Sequence, residues 1–245
     1  MPVKYTIGHL DLTLPLPAEN LACDEALLEA CEHEPWNEVL RFWESPQPFV
    51  VVGYANSVAR EVNVAACTAR GIPILRRCSG GGAVVQGPGC LNYSLILRIN
   101  PDGPLRNITA TNRHIMEVNR AAIADLLERP VAINGHTDLT LGGLKFSGNS
   151  QRRRQKALLF HGSFLLNFDL DLISELLPQP SKEPEYRKGR EHREFVTNLG
   201  LPADVVKAAL RDAWNARTPV EQVPYPAIAA LARERYASDA WNFKS

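Results

Sequence analysis

The sequence predicts an α+β fold, a mixed and largely antiparallel sheet with helices packed against it. Two long stretches, 19–34 and 108–127, carry apolar residues at helical spacing. Between and after them lie extended runs rich in β-branched and aromatic residues, at 38–43, 49–53, 91–99 and 144–168. No internal repeat or low-complexity linker interrupts the 245 residues, so one domain over 1–245 is expected.

In 19–34, Leu21, Leu27, Leu28 and Cys31 fall near one face with acids opposite, which predicts an amphipathic helix. Residues 38–43 alternate Val39, Arg41 and Trp43 against Leu40 and Phe42, as a strand does. Pro46 and Pro48 mark a turn before a second, well-buried strand at 49–53. A short helix over 61–70 stops at Gly71. A glycine-rich loop leads into the strand at 91–99, and the helix at 108–127 presents Ile115, Val118, Ala122 and Leu126 as one stripe, ending before Pro130. Short extended pieces at 131–133 and 138–141 precede Gly142-Gly143, a hairpin turn. Long strands at 144–153 and 157–168 flank a charged connection. A short helix at 170–177 gives way to 178–194, rich in Pro, Lys, Arg and Glu, which reads as a mobile loop. Helices at 202–215 and 226–236 close the chain.

Lys plus Arg equals Asp plus Glu, 27 each, which argues against a general nucleic-acid or membrane-surface binder. No apolar run approaches the roughly 18 residues that cross a bilayer, and the N-terminus shows no secretory pattern. The five cysteines are odd in number and contain no Cys-x-x-Cys pair, so neither a disulfide framework nor a zinc site is expected and a cytoplasmic setting fits.

Two stretches carry chemistry. In Ile74-Leu-Arg-Arg-Cys-Ser-Gly-Gly-Gly-Ala-Val-Val, the glycines Gly80, Gly81 and Gly82 leave peptide N–H groups free to face an anion, with Arg76 and Arg77 alongside. The other reading is a hairpin turn that binds nothing. In the second, Asn134 to Arg153, strand alternation places Lys145 on one face with Ser147, and Leu144 and Phe146 on the other. Lys145 among small residues suits an ammonium projecting into a polar cleft to hold a phosphate or carboxylate oxygen, or else a solvated edge-strand lysine. Asp138 could hold a divalent cation beside a phosphate, or be a turn aspartate. His161 could donate to a substrate oxygen, or be structural. Arg152, Arg153 and Arg154 could meet an acidic partner, or end a solvated hairpin.

These motifs in this order resemble the lipoate-protein ligase A family, of the biotin/lipoate ligase superfamily. The resemblance rests on Arg76-Arg-Cys-Ser-Gly-Gly-Gly-Ala-Val, Gly135-x-x-Asp-Leu, Lys145-Phe-Ser-Gly-Asn-Ser-Gln-Arg-Arg and His161-Gly-Ser-Phe-Leu-Leu-Asn-Phe-Asp-Leu. Asn20-Leu-Ala, Trp43, Val52-Gly-x-x-Asn56, Val196-Thr-Asn-Leu199 and Trp241-Asn-Phe243 extend it along nearly the whole chain. It implies a biotin/lipoate ligase-like fold, related to class II synthetases. The implied activity is formation of lipoyl-adenylate from lipoate and MgATP, then acylation of a lysine on a lipoyl domain of a 2-oxoacid dehydrogenase or on a glycine-cleavage H protein. The resemblance assigns Arg77, Ser79, Gly80, Gly81, Gly82, Ala83, Val84, Val85, Ser147, Gly148, His161 and Gly162 to the adenylate, and Asp138 to Mg2+. Lys145 would be the catalytic residue, bound to the α-phosphate and the lipoyl carboxyl. Trp43, Val50 and Val52 would receive the aliphatic tail.

Two departures shape the expectation. Many relatives carry a further domain after the Trp-x-Phe region, whereas this sequence stops two residues beyond Phe243, so the expectation is that the chain either needs a separate accessory subunit for adenylation or performs only transfer. Gln86-Gly-Pro-Gly89 resembles the loop of the octanoyltransferases, which act through a cysteine acyl-thioester. The positions where those enzymes carry that cysteine hold none here. Cys78, beside the glycine loop, is the remaining thiol to test. A biotin ligase, an octanoyl or lipoyl transferase using a carrier-bound acyl group, and a non-catalytic lipoyl-binding subunit are the competing readings.

Overall fold

The computed structural model describes residues 7–33 and 38–244. Position 34 of the first expected helix, residues 1–6 and residue 245 lie outside them. The elements run β1 (Ile7–Asp11), α1 (Pro17–His33), β2 (Glu38–Trp43), β3 (Phe49–Val52), α2 (Val58–Glu61), α3 (Val64–Ala69), β4 (Ile74–Arg76), β5 (Val84–Gln86), β6 (Cys90–Arg98) and α4 (Ile108–Leu127). They continue with β7 (Ala132–Asn134), β8 (Asp138–Leu141), β9 (Leu144–Arg153), β10 (Ala157–Leu165), α5 (Leu170–Leu176), α6 (His192–Phe195), α7 (Ala203–Ala213), β11 (Thr218–Pro219), α8 (Tyr225–Leu231) and α9 (Asp239–Asn242). A single π turn, Ala232–Tyr236, extends α8. No described helix is long and apolar enough to cross a membrane.

Among the described residues, eight strands form one sheet in the order β11-β1-β2-β6-β10-β9-β8-β7, antiparallel from β2 onward. Strand alternation sorts its side chains. Val39, Trp43, Ile96 and Leu159 pack toward α1, while Leu40, Phe42, Leu95, Leu158 and Phe160 pack toward α4 and α7. A second, three-stranded sheet, β4-β3-β5, stands beside the first with α3, α5 and α6 on its far side. The α+β expectation holds. The charged loop after α5 contains a short 3-10 turn, Glu185–Arg187, and runs into α6.

Three local expectations need correction. Helix α1 is not amphipathic with its acids in water: Asp24 and Glu25 are both buried. Asp24 meets Arg41 at 2.6 Å, and Glu25 accepts from Arg235 at 2.5 Å and the Tyr236 hydroxyl at 2.7 Å, so long-range partners compensate charges that a local pattern assigns to solvent. The helix expected over 61–70 is two short helices, parted where Asn63 caps the second through the Ala66 N–H. Along α4 the buried stripe is Ile115, Met116, Asn119 and Ile123, because Asn119 is drawn inward by Tyr93 and Trp214.

Candidate active site

One face of the large sheet carries two polar rows in register. In the first, Arg41 on β2 pairs with Ser94 on β6, Ser94 with His161 on β10, and His161 with Ser150 on β9. In the second, Trp43 pairs with Asn92, Asn92 with Ser163, Ser163 with Gly148, and Gly148 with Asp138 on β8. These rows floor a cleft of about 850 Å³, walled by Val51, Ala83, Val84 and Val85 of the small sheet and roofed by residues 178–184 and Phe195. A sheet interior this polar is costly unless each group is paired, and the first row is. Asp24 reaches it from α1, binding Arg41 (2.6 Å), the Ser94 hydroxyl (2.7 Å) and His161 Nδ1 (3.3 Å). Burial alone would raise the Asp24 pKa, but the Arg41 guanidinium, helped by His161 and Ser94, outweighs it and holds the carboxyl below its ordinary value.

Lys145 sits in the second row by way of a β-bulge. Lys145 pairs with Thr140 but Ser147 pairs with Leu139, leaving Phe146 as the extra residue on β9. The bulge reverses the parity expected from simple alternation. Lys145 and Gly148 come to share the cleft face, while Ser147 turns to the opposite side, where its hydroxyl accepts from Asn149 at 3.3 Å. Ser147 still borders the cleft, with its hydroxyl engaged by Asn149. Gly148 lets the ammonium lie close, since a Cβ there would stand 2.9 Å from Lys145 Nζ and push it aside. Lys145 Nζ lies 2.9 Å from Asp138 Oδ1, and Asp138 Oδ2 accepts from the Tyr186 hydroxyl at 2.8 Å. Thr140 of β8 pairs with Lys145 on one side and Val196 bridges to it on the other, with the Thr197 N–H donating to the Lys145 carbonyl at 2.9 Å, so the edge-strand reading of this lysine is excluded.

The glycine loop lies at the cleft mouth in an unexpected arrangement. Arg77 does not present its guanidinium to a ligand as its main role. It donates to the carbonyls of Gly80 (2.6 Å) and Gly82 (2.8 Å) and to the Ser79 hydroxyl (3.1 Å), and burial pulls its pKa down to about 10. Holding the carbonyls turns the N–H groups of Gly80, Gly81 and Gly82 outward, where none meets another described protein group. Arg76 is wholly buried and binds six backbone carbonyls, of Gly53, Tyr54, Asn56, Trp241, Asn242 and Lys244, which docks the chain's last turn beside the loop. Ser79 faces inward, 2.6 Å from His161 Nε2. Arg77, Gly81, Gly82, Ala83, Val84, Val85, Asp138, Lys145, Ser147, Gly148, His161, Gly162 and Trp43 line the cleft, whereas Ser79 and Gly80 do not.

Val50 and Val52 are corrected outright. They point away from the cleft into the cluster with Cys67, Ile72 and Ile173, and Val51 between them faces the cleft instead. The row of three arginines is corrected in part. Arg153 donates to the Leu105 carbonyl and Thr111 and Arg154 is ion-paired with Glu29, so these two are spent within the chain, whereas Arg152 lies over the Tyr54 ring. Alternation could have found Val51 and Arg41; Asp24, Ser94, Asn92 and Tyr186 had no sequence signal.

As to metal, among the described residues no three His, Cys, Asp or Glu groups converge. Asp138 is the carboxylate beside Lys145, so a bound Mg2+ would take one protein oxygen and complete its shell from phosphate and water, a donor set that suits this ion.

All five cysteines are buried, and none lines the cleft. Burial pushes Cys78 and Cys90 up to about 12 and Cys23 and Cys31 to about 11, which suppresses the thiolate. The folded chain is expected to take up almost no maleimide at pH 7.5 over minutes and five equivalents in denaturant, by intact mass. One fast-reacting cysteine in the native chain would contradict this.

Residues 16–212 match the family described as the lipoyl protein ligase A/B catalytic domain. The chain belongs to that family. Among its relatives is the octanoyltransferase LipM of Halalkalibacterium halodurans, 27% identical over 264 residues and covering 93% of this chain and 95% of the relative. Lipoate-protein ligase A subunit 1 of Thermoplasma acidophilum is 28% identical over 241 residues, covering 91% and 90%. A crystal structure of lipoate-protein ligase A bound with ATP superposes with a TM-score of 0.80 at 25% identity, covering 98% of this chain and 99% of that one. The family thus holds both lipoate ligases and octanoyltransferases by name, and the fold is that of the lipoate ligases.

Proposed function

We propose that the chain is the catalytic subunit of an ATP-dependent lipoate-protein ligase. In the first step a lipoate carboxylate oxygen attacks the α-phosphorus of ATP and pyrophosphate leaves. In the second, the neutral ε-amine of an acceptor lysine attacks the carbonyl carbon. The bond to phosphate oxygen breaks, AMP leaves with the electron pair, and the amine's surplus proton passes to solvent. The observation that carries the proposal is Lys145: its ammonium stands in the cleft over Gly148, within reach of Asp138, with no cysteine lining the same cleft. A fixed cation there stabilises the charge that develops in both steps. The outward N–H groups of the glycine loop suit the phosphate, and Trp43, Val51 and Val84 line an apolar wall for the lipoyl tail. Mg2+ held at Asp138 would neutralise charge on the phosphates of the bound nucleotide.

The lack of a cleft thiol supports ATP-dependent activation over thioester transfer, although LipM relatives are octanoyltransferases by name. The relative called subunit 1 supports a separate accessory subunit, and lipoyl domains or an H protein are the proposed acceptors. The test is intact-mass analysis of a lipoyl domain incubated with the chain, lipoate, ATP and Mg2+. A mass gain of one lipoyl group, from ATP alone or after adding an accessory subunit, is expected, and Cys78→Ser should retain it within about twofold. Gain only from octanoyl carrier protein would overturn the proposal, as would loss in Cys78→Ser.

A further inference from the structure

The loop at 178–194 does more than roof the cleft. It grips the β8–β9 hairpin at both ends. At one end the Tyr186 hydroxyl donates to Asp138 Oδ2 at 2.8 Å. At the other, the Arg190 guanidinium donates to the carbonyl of Gly143 at 3.3–3.4 Å, in the turn that delivers Lys145. The two grips are linked, because Arg190 also donates to the Tyr186 carbonyl at 3.1 Å. The loop is itself well anchored. Tyr186 packs on Phe195 with ring centroids 5.2 Å apart, and the guanidiniums of Arg187 and Arg190 lie over the same ring at 4.7 and 5.2 Å. Arg187 is almost wholly buried and donates to Gln179 and to the Arg190 carbonyl.

We infer that Tyr186 is a positioning residue: through Asp138 it fixes the Lys145 ammonium over Gly148, so that seating of the loop and placement of the lysine are one event. Asp138 is shared between a phenol and an ammonium, one on each oxygen. A carboxylate with both oxygens engaged has one orientation, whereas with Lys145 alone it can rotate and carry the ammonium off Gly148. A phenol is protonated at neutral pH, so the Tyr186 hydroxyl donates to the carboxylate. The consequence for turnover rests on the ligase reading; the consequence for Lys145 itself does not.

The test is made first without substrates. Trace labelling of lysines with acetic anhydride, read peptide by peptide, reports the reactivity of Lys145 against the lysine at position 182 on the same chain. In the wild type Lys145 is expected to label several-fold more slowly than Lys182, being held by Asp138. Tyr186→Phe keeps the ring on Phe195 and should raise Lys145 labelling several-fold with Tm almost unchanged. Asp138→Asn should raise it at least as much. The double variant should be no faster than Asp138→Asn alone, since Tyr186 acts through Asp138. Unchanged labelling in Tyr186→Phe, or additive effects in the double variant, would overturn the inference. Should Tyr186→Phe fold poorly, Arg190→Lys provides the second probe, since it loosens the other grip and should likewise expose Lys145; no rise there would count against it. With acceptor domain and synthetic lipoyl-adenylate, Tyr186→Phe is expected to lower kcat about tenfold and leave KM nearly unchanged. Failure in this last arm alone would count against the ligase reading and leave the labelling result standing.

Discussion

Lys145→Ala is expected to lower the rate of acceptor lipoylation by about 10²–10³-fold, the cost of removing one preorganised charge-stabilising group. The effect is large because Lys145 is the cation held beside Asp138 and Gly148. Arg77, the other cation near the glycine loop, spends its donors on the Gly80 and Gly82 carbonyls and on Ser79. Lys145→Arg should not restore the rate: the ammonium fits against the bare face of Gly148, where even a Cβ stands within 2.9 Å of Nζ, and a planar guanidinium is wider. The fold should survive. The Lys145–Asp138 pair is a partly exposed one, and Asp138 keeps the Tyr186 hydroxyl after the truncation. The measurement is single-turnover transfer from lipoyl-adenylate beside a thermal melt. A Lys145→Ala rate within tenfold of the wild type would remove this residue from the chemistry, and a large fall in Tm would mean that any rate loss reports folding instead.

The way this site is built explains what was readable in one dimension. The α+β class, the strands bearing Lys145 and His161, the hairpin turn at Gly142-Gly143 and the glycine-rich loop after β4 were legible, since each depends on residues within about ten positions of one another. The polar floor was not. Arg41, Ser94, His161 and Ser150 become neighbours only through strand register, and Asp24 joins them from a helix whose acids look solvent-facing in isolation. The extra residue at Phe146 defeats alternation at the position that matters most, because one inserted residue exchanges the faces of everything after it. A similar one-residue ambiguity exchanged Val51 with Val50 and Val52, since a strand buried on both faces has no polar side to set its phase. Arg76 and Arg77 were assigned to an anion because their charge is visible in sequence, whereas the carbonyls they bind are not.

The buried pair at the cleft floor makes the largest stability prediction. Arg41→Met leaves the Asp24 carboxylate without its counter-charge, and breaking a buried pair in this way costs about 3–5 kcal/mol, a fall of roughly 6–20 °C in Tm for a chain of this size. The pH dependence has a sign that identifies the cause. In the wild type the Asp24 pKa is depressed, so its contribution is present above the ordinary carboxylate value of 3.8 and is lost as pH falls through the lower folded value. Without Arg41, burial, the largest single influence, is no longer outweighed and is expected to raise the folded pKa above the unfolded one. The carboxyl is then favoured in its protonated form, and stability is lost as pH rises through the folded value. The penalty of Arg41→Met should therefore be greatest near neutrality and shrink as pH approaches 3.8. Adding Asp24→Asn removes the stranded charge and should recover part of the loss at pH 7. Urea melts of the three variants at pH 4 and pH 7 would decide it. A penalty that does not vary with pH, or a double variant as weak as the sum of the singles, would mean that Arg41 acts through its bulk over Trp43 and its bonds to the Leu12 and Asn20 carbonyls rather than through Asp24.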